Sequence, residues 1–160
     1  MKSLLDSYDK GQITAAIGKE LYASMLYKDI ANKLQALGYF GAQEYFQKES
    51  ADELTHYQKW VDYCNDRLDV AVIPGIPAMT TEITSLMGAF QIAIETEMEL
   101  ADFYEKFYDE TECYYTKQRL LEFLEIQRTS IGEYGDLIAR LAIIGEDKSG
   151  LLTFDEHLNG

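Results

Sequence analysis

Both prolines of this chain, Pro74 and Pro77, fall in one stretch, Val70-Ala71-Val72-Ile73-Pro74-Gly75-Ile76-Pro77. Proline has no amide hydrogen and its ring collides with the preceding helical turn, so where prolines sit limits where long helices can run. Everywhere else Ala, Leu, Glu, Lys and Gln dominate, all of them good helix formers. No segment alternates with period two for long, and no Asn-Gly or Asp-Gly turn stands between two extended runs. The pattern therefore predicts an all-α chain of four long helices. The first covers about 7–36 and the second about 39–66, with Gly38 free to take the left-handed turn between them. Thr80-Thr81-Glu82 reads as a cap and acidic first turn that opens a third helix running to about 109. A break from Asp109 to Tyr114 precedes the fourth helix, which ends at Gly145. Beyond Asp147-Lys148-Ser149-Gly150 an apolar tail, about 151–158, is expected as a short fifth helix.

Four helices of this length make a bundle. Short links after the first and third helices force antiparallel neighbours. The middle connection, about 67–80, could extend over roughly 45 Å, enough to cross the bundle from end to end. The expected fold is thus a four-helix bundle with a long crossover between helices 2 and 3. The 160 residues are expected to form a single domain, with the bundle at about 7–145 and the tail helix at about 151–158. Lys and Arg total 14 against 28 Asp and Glu, a formal charge of −14, which repels nucleic acids and anionic membranes. No apolar run approaches the roughly 20 residues of a membrane span, and Met1-Lys2-Ser3-Leu4-Leu5-Asp6 is not a secretory leader. With only Cys64 and Cys113, far apart, no disulfide framework is expected, and the reducing cytoplasm is the expected location.

The inward stripes, followed at spacings of three and four, carry the functional information. They read Ile13, Ala16, Glu20, Ala23/Ser24, Tyr27, Ala31, Leu34 in the first helix and Tyr39, Ala42, Phe46, Glu49, Glu53, His56, Trp60, Cys64 in the second. In the third they read Leu86, Phe90, Ala93, Glu97, Leu100/Ala101, Tyr104, Phe107. The fourth gives Leu120, Phe123/Leu124, Gln127, Ser130/Ile131, Tyr134, Leu137/Ile138, Leu141. Each stripe is apolar or aromatic at both ends and polar near its middle. Glu20 lies eighteen residues before Gly38, His56 eighteen after it, and Glu53 one turn nearer. Glu97 and Gln127 each lie fifteen residues from Glu112. At about 1.5 Å per residue, antiparallel partners meet at one level.

Three carboxylates buried together cost many kcal/mol unless something positive joins them. No Lys or Arg occupies these stripes, so the compensating charge must come from outside the chain. Carboxylate oxygens with one imidazole suit iron or manganese, whereas zinc favours more His or Cys. Glu53 and His56, three apart, share a helix face and can hold one ion together. Glu53 is the expected bridge between two ions, with Glu20 and His56 completing one and Glu97 the other. Tyr27 and Tyr104 follow inward glutamates by seven residues and are core aromatics by position; Tyr27 could also donate to a ligand carboxylate. The other tyrosines and Trp60 read as packing.

Glu20-Leu21-Tyr22-Ala23-Ser24-x-x-Tyr27, then Glu53-x-x-His56, then Gln127, resemble the ferritins, specifically their ferroxidase-active, non-haem subunits. The likeness extends over nearly the whole chain, including Gly135-Asp136 and Ser149-Gly150-Leu151-Leu152. The resemblance implies a ferritin-like fold with Glu20, Glu53, His56 and Glu97 as ligands of two iron ions per subunit. It places Gln127 as an amide lining the metal site and Tyr27 as the tyrosine beside it. It further implies oxidation of Fe2+ by O2 or H2O2, and storage of the ferric product as mineral in a hollow cage of about 24 subunits. Apolar residues outside the stripes, the Leu151–Leu158 tail included, would then be subunit contacts.

Several features differ from relatives of that family. Gln127-x-x-Ser130 stands where bacterioferritins and rubrerythrins have a second ExxH, and the second helix has no Met, so haem is not expected. Ile126, Thr129 and Ser130 replace the carboxylates of a third iron site, leaving Glu49 and Asp52 as the acidic residues nearby that could hold iron in passing. Thr116-Lys117-Gln118-Arg119 replaces the family's acidic pore residues. Competing readings are a cage subunit without fast oxidation, which would lack these ligands, and a soluble di-iron oxidase acting on an organic substrate. A DNA-protecting mini-ferritin would carry its ligands across a subunit interface and often a basic tail.

Overall fold

The computed structural model describes all 160 residues as five helices without strands: α1 (Ser7–Leu37), α2 (Phe40–Asp66), α3 (Leu86–Glu110), α4 (Tyr114–Ile144) and α5 (Lys148–His157). Asp6 caps α1 by accepting from the Asp9 amide at 2.7 Å. Gly38 ends the helix at φ +89°, and its N–H reaches the Gln35 and Leu34 carbonyls. That left-handed residue turns the chain back so that α1 and α2 pack as an antiparallel pair. Ser24 and Ser50 clasp the pair at mid-length: each hydroxyl donates to the other residue's carbonyl, at 2.7 and 2.8 Å. The second pair, α3 with α4, is joined by the short link around Thr111–Cys113.

Residues 67–85 form the crossover, and α1 records its course. Lys10 pairs with Asp69 at 2.8 Å, Gly18 lies beneath Pro74, and the Lys33 ammonium donates to the Thr81 carbonyl. The connection therefore climbs most of the length of α1, and α3 starts at the end where α2 also starts. The order is up, down, down, up, as the proline-bearing stretch implied. The third helix begins later than its sequence suggests. Ser85, not Thr80 or Thr81, is the cap, accepting from the Gly88 amide at 3.0 Å, and 81–85 stay non-helical while Ile83 buries its side chain. The fifth helix begins earlier than the apolar pattern implied, because Asp147 caps it through the Gly150 amide at 2.8 Å.

The core is one cluster of 27 buried apolar residues running the length of the bundle. Aromatic rings dominate both ends. Trp60 stacks on Phe123 at 4.7 Å between ring centres and on Tyr104 and Phe107 at 6.0 Å. Phe46 and Phe90 meet at 5.1 Å near the other end, where Phe154 of α5 joins them. The tail helix thus contributes to the packed core and is not solely a surface for contacts, although Leu152 stays exposed. At the base, the buried Asp9 carboxylate accepts from Thr111 and Thr116 hydroxyls at 2.7 and 2.8 Å, and Tyr63 hydrogen-bonds Thr116. No helix is long and apolar enough to cross a membrane.

Candidate metal centre

The polar residues of the four stripes meet between these aromatic ends. Glu20 and Glu97 are fully buried, Gln127 likewise, Glu53 is 2% exposed, and the His56 side chain keeps 12% of its surface in contact with solvent. Ligand atoms of Glu20, Glu53 and His56 lie within 4.8 Å of one another. The His56 Nδ1 stands 3.3 Å from Glu53 Oε2 and 3.8 Å from Glu20 Oε2. Glu53 and His56 of α2 share one face because they are three apart, and α1 presents Glu20 at the same level across the Ser24–Ser50 clasp.

Glu97 lies outside that close trio. Tyr27 of α1 donates to its Oε1 at 2.5 Å. The Gln127 side-chain amide lies against the Glu97 backbone carbonyl and Oε2, both acceptors, so its nitrogen is the end assigned to face them, 3.1 Å from the carbonyl oxygen. Glu97 is thus drawn towards α1 and α4, while its carboxylate stays near enough to Glu53 for its charge to raise that group. Both of the other carboxylates act on Glu53 through their charge.

Charge in this waist is poorly compensated. No lysine or arginine pairs with any of the three buried glutamates, and Glu20 Oε2 has no hydrogen-bond partner although it is sealed from water. Burial, then the neighbouring Glu20, push the Glu53 carboxyl well above the ordinary range. Burial also raises Glu97, to about 7, despite the opposing Tyr27 hydrogen bond. For Glu20 burial pushes up, but the neighbouring Glu53, His56 and Tyr104 together outweigh it and hold the group low. One carboxylate held low beside two pushed up is an arrangement that a cation shared among them would favour. Oxygen donors with one imidazole and an orphaned buried oxygen fit a hard or borderline divalent ion.

A cleft of about 300 Å³ leads to the site, lined by Glu49, Asp52, Glu53, His56, Glu125, Ile126, Thr129, Ser130 and Glu133. Glu49 and Asp52 lie where the sequence placed them. Glu125 and Glu133 join them, which corrects the expectation that Glu49 and Asp52 are the only acids remaining there. Both lie off the inward stripe of α4, two residues before Gln127 and one before Tyr134, so a stripe-based reading passes over them. Tyr134 donates to Glu49 Oε2 at 2.9 Å, and burial raises the Glu49 carboxyl.

Tyr104 and Trp60 do more than pack, contrary to the sequence expectation. The Trp60 Nε1–H donates to the Tyr104 hydroxyl at 3.0 Å, and Tyr104 donates to Glu20 Oε1. The signal was present: Tyr27 and Tyr104 each follow a glutamate by seven residues. Helical side chains lean towards the helix N-terminus, so on antiparallel α1 and α3 both phenols tilt back to the waist and reach the opposite glutamate.

The family model described as ferritin-like domain matches residues 10–144. Among curated proteins, the chain is 26% identical over 163 residues to a bacterial non-heme ferritin of Staphylococcus saprophyticus, covering 98% of this chain and 93% of that one. It is 31% identical over 153 residues to a ferritin of Pacifastacus leniusculus, covering 91% and 84%. An open pore ferritin from the archaeon Archaeoglobus fulgidus superposes with a TM-score of 0.94 at 21% identity, over 98% of each chain, a likeness of fold. Since the family model spans most of its length and a curated relative at nearly a third identity spans almost all of it, this chain belongs to the ferritin family.

Proposed function

We propose that this protein oxidises Fe2+ with O2 or H2O2 at a pair of sites in the bundle's waist and stores the ferric product in a multi-subunit cage. The observation that carries the reading is the buried Glu20–Glu53–His56 cluster, which no cationic side chain compensates and to which Glu53 joins Glu97. Glu20 and His56 would hold one iron, Glu97 the other, and Glu53 both, with Gln127 lining the second position. Iron is here the substrate. The chain's own part is to strip water from the ion, fix the donor oxygens and leave the cleft side free for the oxidant.

Membership of the ferritin family, with curated relatives named as non-heme ferritins, supports this assignment. The acidic cleft supplies a route: Glu49, Asp52 and Glu133 lower the electrostatic cost of bringing Fe2+ to the buried ligands, and Glu49 and Asp52 would hold iron in passing, whereas the Glu125 carboxylate is paired with Arg128. Tyr27 would keep Glu97 turned towards Glu53. The chain would act as one ferritin-like unit over 1–160, in the cytoplasm, assembled into a shell of about 24 copies.

Glu53→Ala and His56→Ala should each slow O2-dependent Fe2+ oxidation by about tenfold or more, the effect of losing a contact worth a few kcal/mol. Stopped-flow absorbance of the ferric product, with assembly checked by light scattering, measures it. Unchanged rates in both variants would remove the assignment, and a wild-type protein that takes up iron without rapid oxidation would favour a storage subunit lacking the catalytic step.

A further inference from the structure

We propose that Tyr104 and Trp60 are positioning residues that make Glu20 a one-oxygen metal ligand: Tyr104 occupies Oε1, Trp60 locks Tyr104, and Oε2 alone is left to meet the ion. This rests on the assignment of a metal site to Glu20, Glu53 and His56.

The two oxygens of Glu20 have different fates in the same buried carboxylate. Oε1 accepts from the Tyr104 hydroxyl, whereas Oε2 has no hydrogen-bond partner and is the atom that faces His56. A buried carboxylate oxygen gains from every donor within reach, so an orphaned one facing a ligating imidazole marks the direction from which a cation comes. A hydroxyl on the other oxygen uses one of its lone pairs and withdraws charge from it, which leaves the unshared Oε2 as the better donor to an ion.

Tyr104 cannot swing away. Its hydroxyl is held from behind by the Trp60 indole N–H, a group that can only donate, so the phenol's own hydrogen is committed to Glu20. Both rings are fully buried and pack against Phe123, Trp60 stacked on it and Tyr104 tilted, and Phe107 also stacks on Trp60. Three helices thus fix one oxygen: α2 supplies the indole, α3 the phenol and α1 the carboxylate. Across the site, Tyr27 holds Oε1 of Glu97 from the opposite direction. The two outer carboxylates are each pinned by a tyrosine of the other's helix, while Glu53 between them makes no tyrosine contact of this kind and keeps its oxygens for two neighbours.

The test titrates Co2+ into the metal-free assembled protein and follows the visible ligand-field bands, which report coordination number and donor geometry without turnover. Tyr104→Phe should change the shape and intensity of these bands and weaken Co2+ binding about tenfold, the usual cost of losing a hydrogen bond that orients a ligand. Trp60→Phe, which keeps an aromatic ring and loses the N–H, should alter the bands in the same sense by a smaller amount. Phe107→Leu disturbs the packing of Trp60 without touching the hydrogen-bonded line; it should lower the melting temperature and leave the bands as in wild type. Bands and affinity unchanged in a folded Tyr104→Phe protein would overturn the proposal, as would an equal spectral change in Phe107→Leu. Absence of Co2+ uptake by the wild type would instead overturn the metal-site assignment beneath it.

Discussion

At the scale of single residues, the waist of this bundle holds protons that free glutamates would release. Burial raises Glu53 well above its ordinary range and Glu97 to about 7, against 4.5 for an unperturbed side chain. The folded state therefore binds more protons than the unfolded chain between pH 4.5 and about 7, and stability falls as pH rises through that window. Glu20 is held low, so its opposite contribution lies below the window, where stability would be lost as pH falls through its folded value. The Glu97 shift alone corresponds to a loss on the order of 3 kcal/mol across the window. Melting curves of chelator-treated protein should move down in temperature from the lower to the upper end of this range. Glu97→Gln, which cannot ionise, should flatten that slope and melt higher at neutral pH. A variant that titrates like the wild type would show that the proton is not held there.

At the scale of elements, two side chains of the C-terminal segment hold it to the start of the second helix, Asn159 by donating to the Gly41 carbonyl at 2.8 Å and Asp155 from within the fifth helix. The Asp155 carboxylate accepts from the Gly41 and Ala42 amides at 3.0 and 2.7 Å, satisfying two of the donors that open α2, where no side chain of Tyr39 does so. A Cβ at position 41 would run into the Asp155 carbonyl, which is why glycine stands there. Asp155→Ala should destabilise the protein by about 1 kcal/mol, the cost of a lost helix cap. It should also speed amide exchange throughout α5 while the slowest amides of α1 and α4 keep their protection. Gly41→Ala should have the larger effect on α5, because it adds a collision to the lost close approach. Uniform loss of protection in either variant would mean that the tail and the bundle open as one unit.

At the scale of the whole molecule, the exposed apolar surface is concentrated outside the stripes. Val70, Val72 and Ile73 of the crossover are 77%, 52% and 55% exposed, and Tyr114, Tyr115 and Ile143 also face outward. Surface of this kind on a chain of net charge −14 is consistent with self-association, in which contacts bury the crossover and the charge keeps the assembly soluble. Light scattering coupled to size exclusion should therefore find a particle many times the 18.3 kDa of one chain. Val72→Asp combined with Ile73→Asp should shift it towards small species while helical circular dichroism stays unchanged. A monomeric wild type at micromolar concentration would exclude a cage.

Much of this protein could be read from its residues alone, because helix periodicity fixes which side chains share a face and turn residues fix where antiparallel helices reach the same level. Glu20, Glu53, Glu97 and Gln127 were legible as inward polar residues for that reason, and all four are buried in the fold. Other features depend on what a segment meets in space. The start of α3 at Leu86 follows from Lys33 holding the Thr81 carbonyl and from Ile83 entering the core, contacts with partners far along the chain. The acids Glu125 and Glu133 enter the cleft from beside the stripe, where a face-by-face reading does not look. Which oxygen of Glu20 is free was decided by a phenol 84 residues away and an indole behind it. Periodicity is a property of one helix and can be counted along it; a hydrogen bond between three helices exists only once their packing has set the distances.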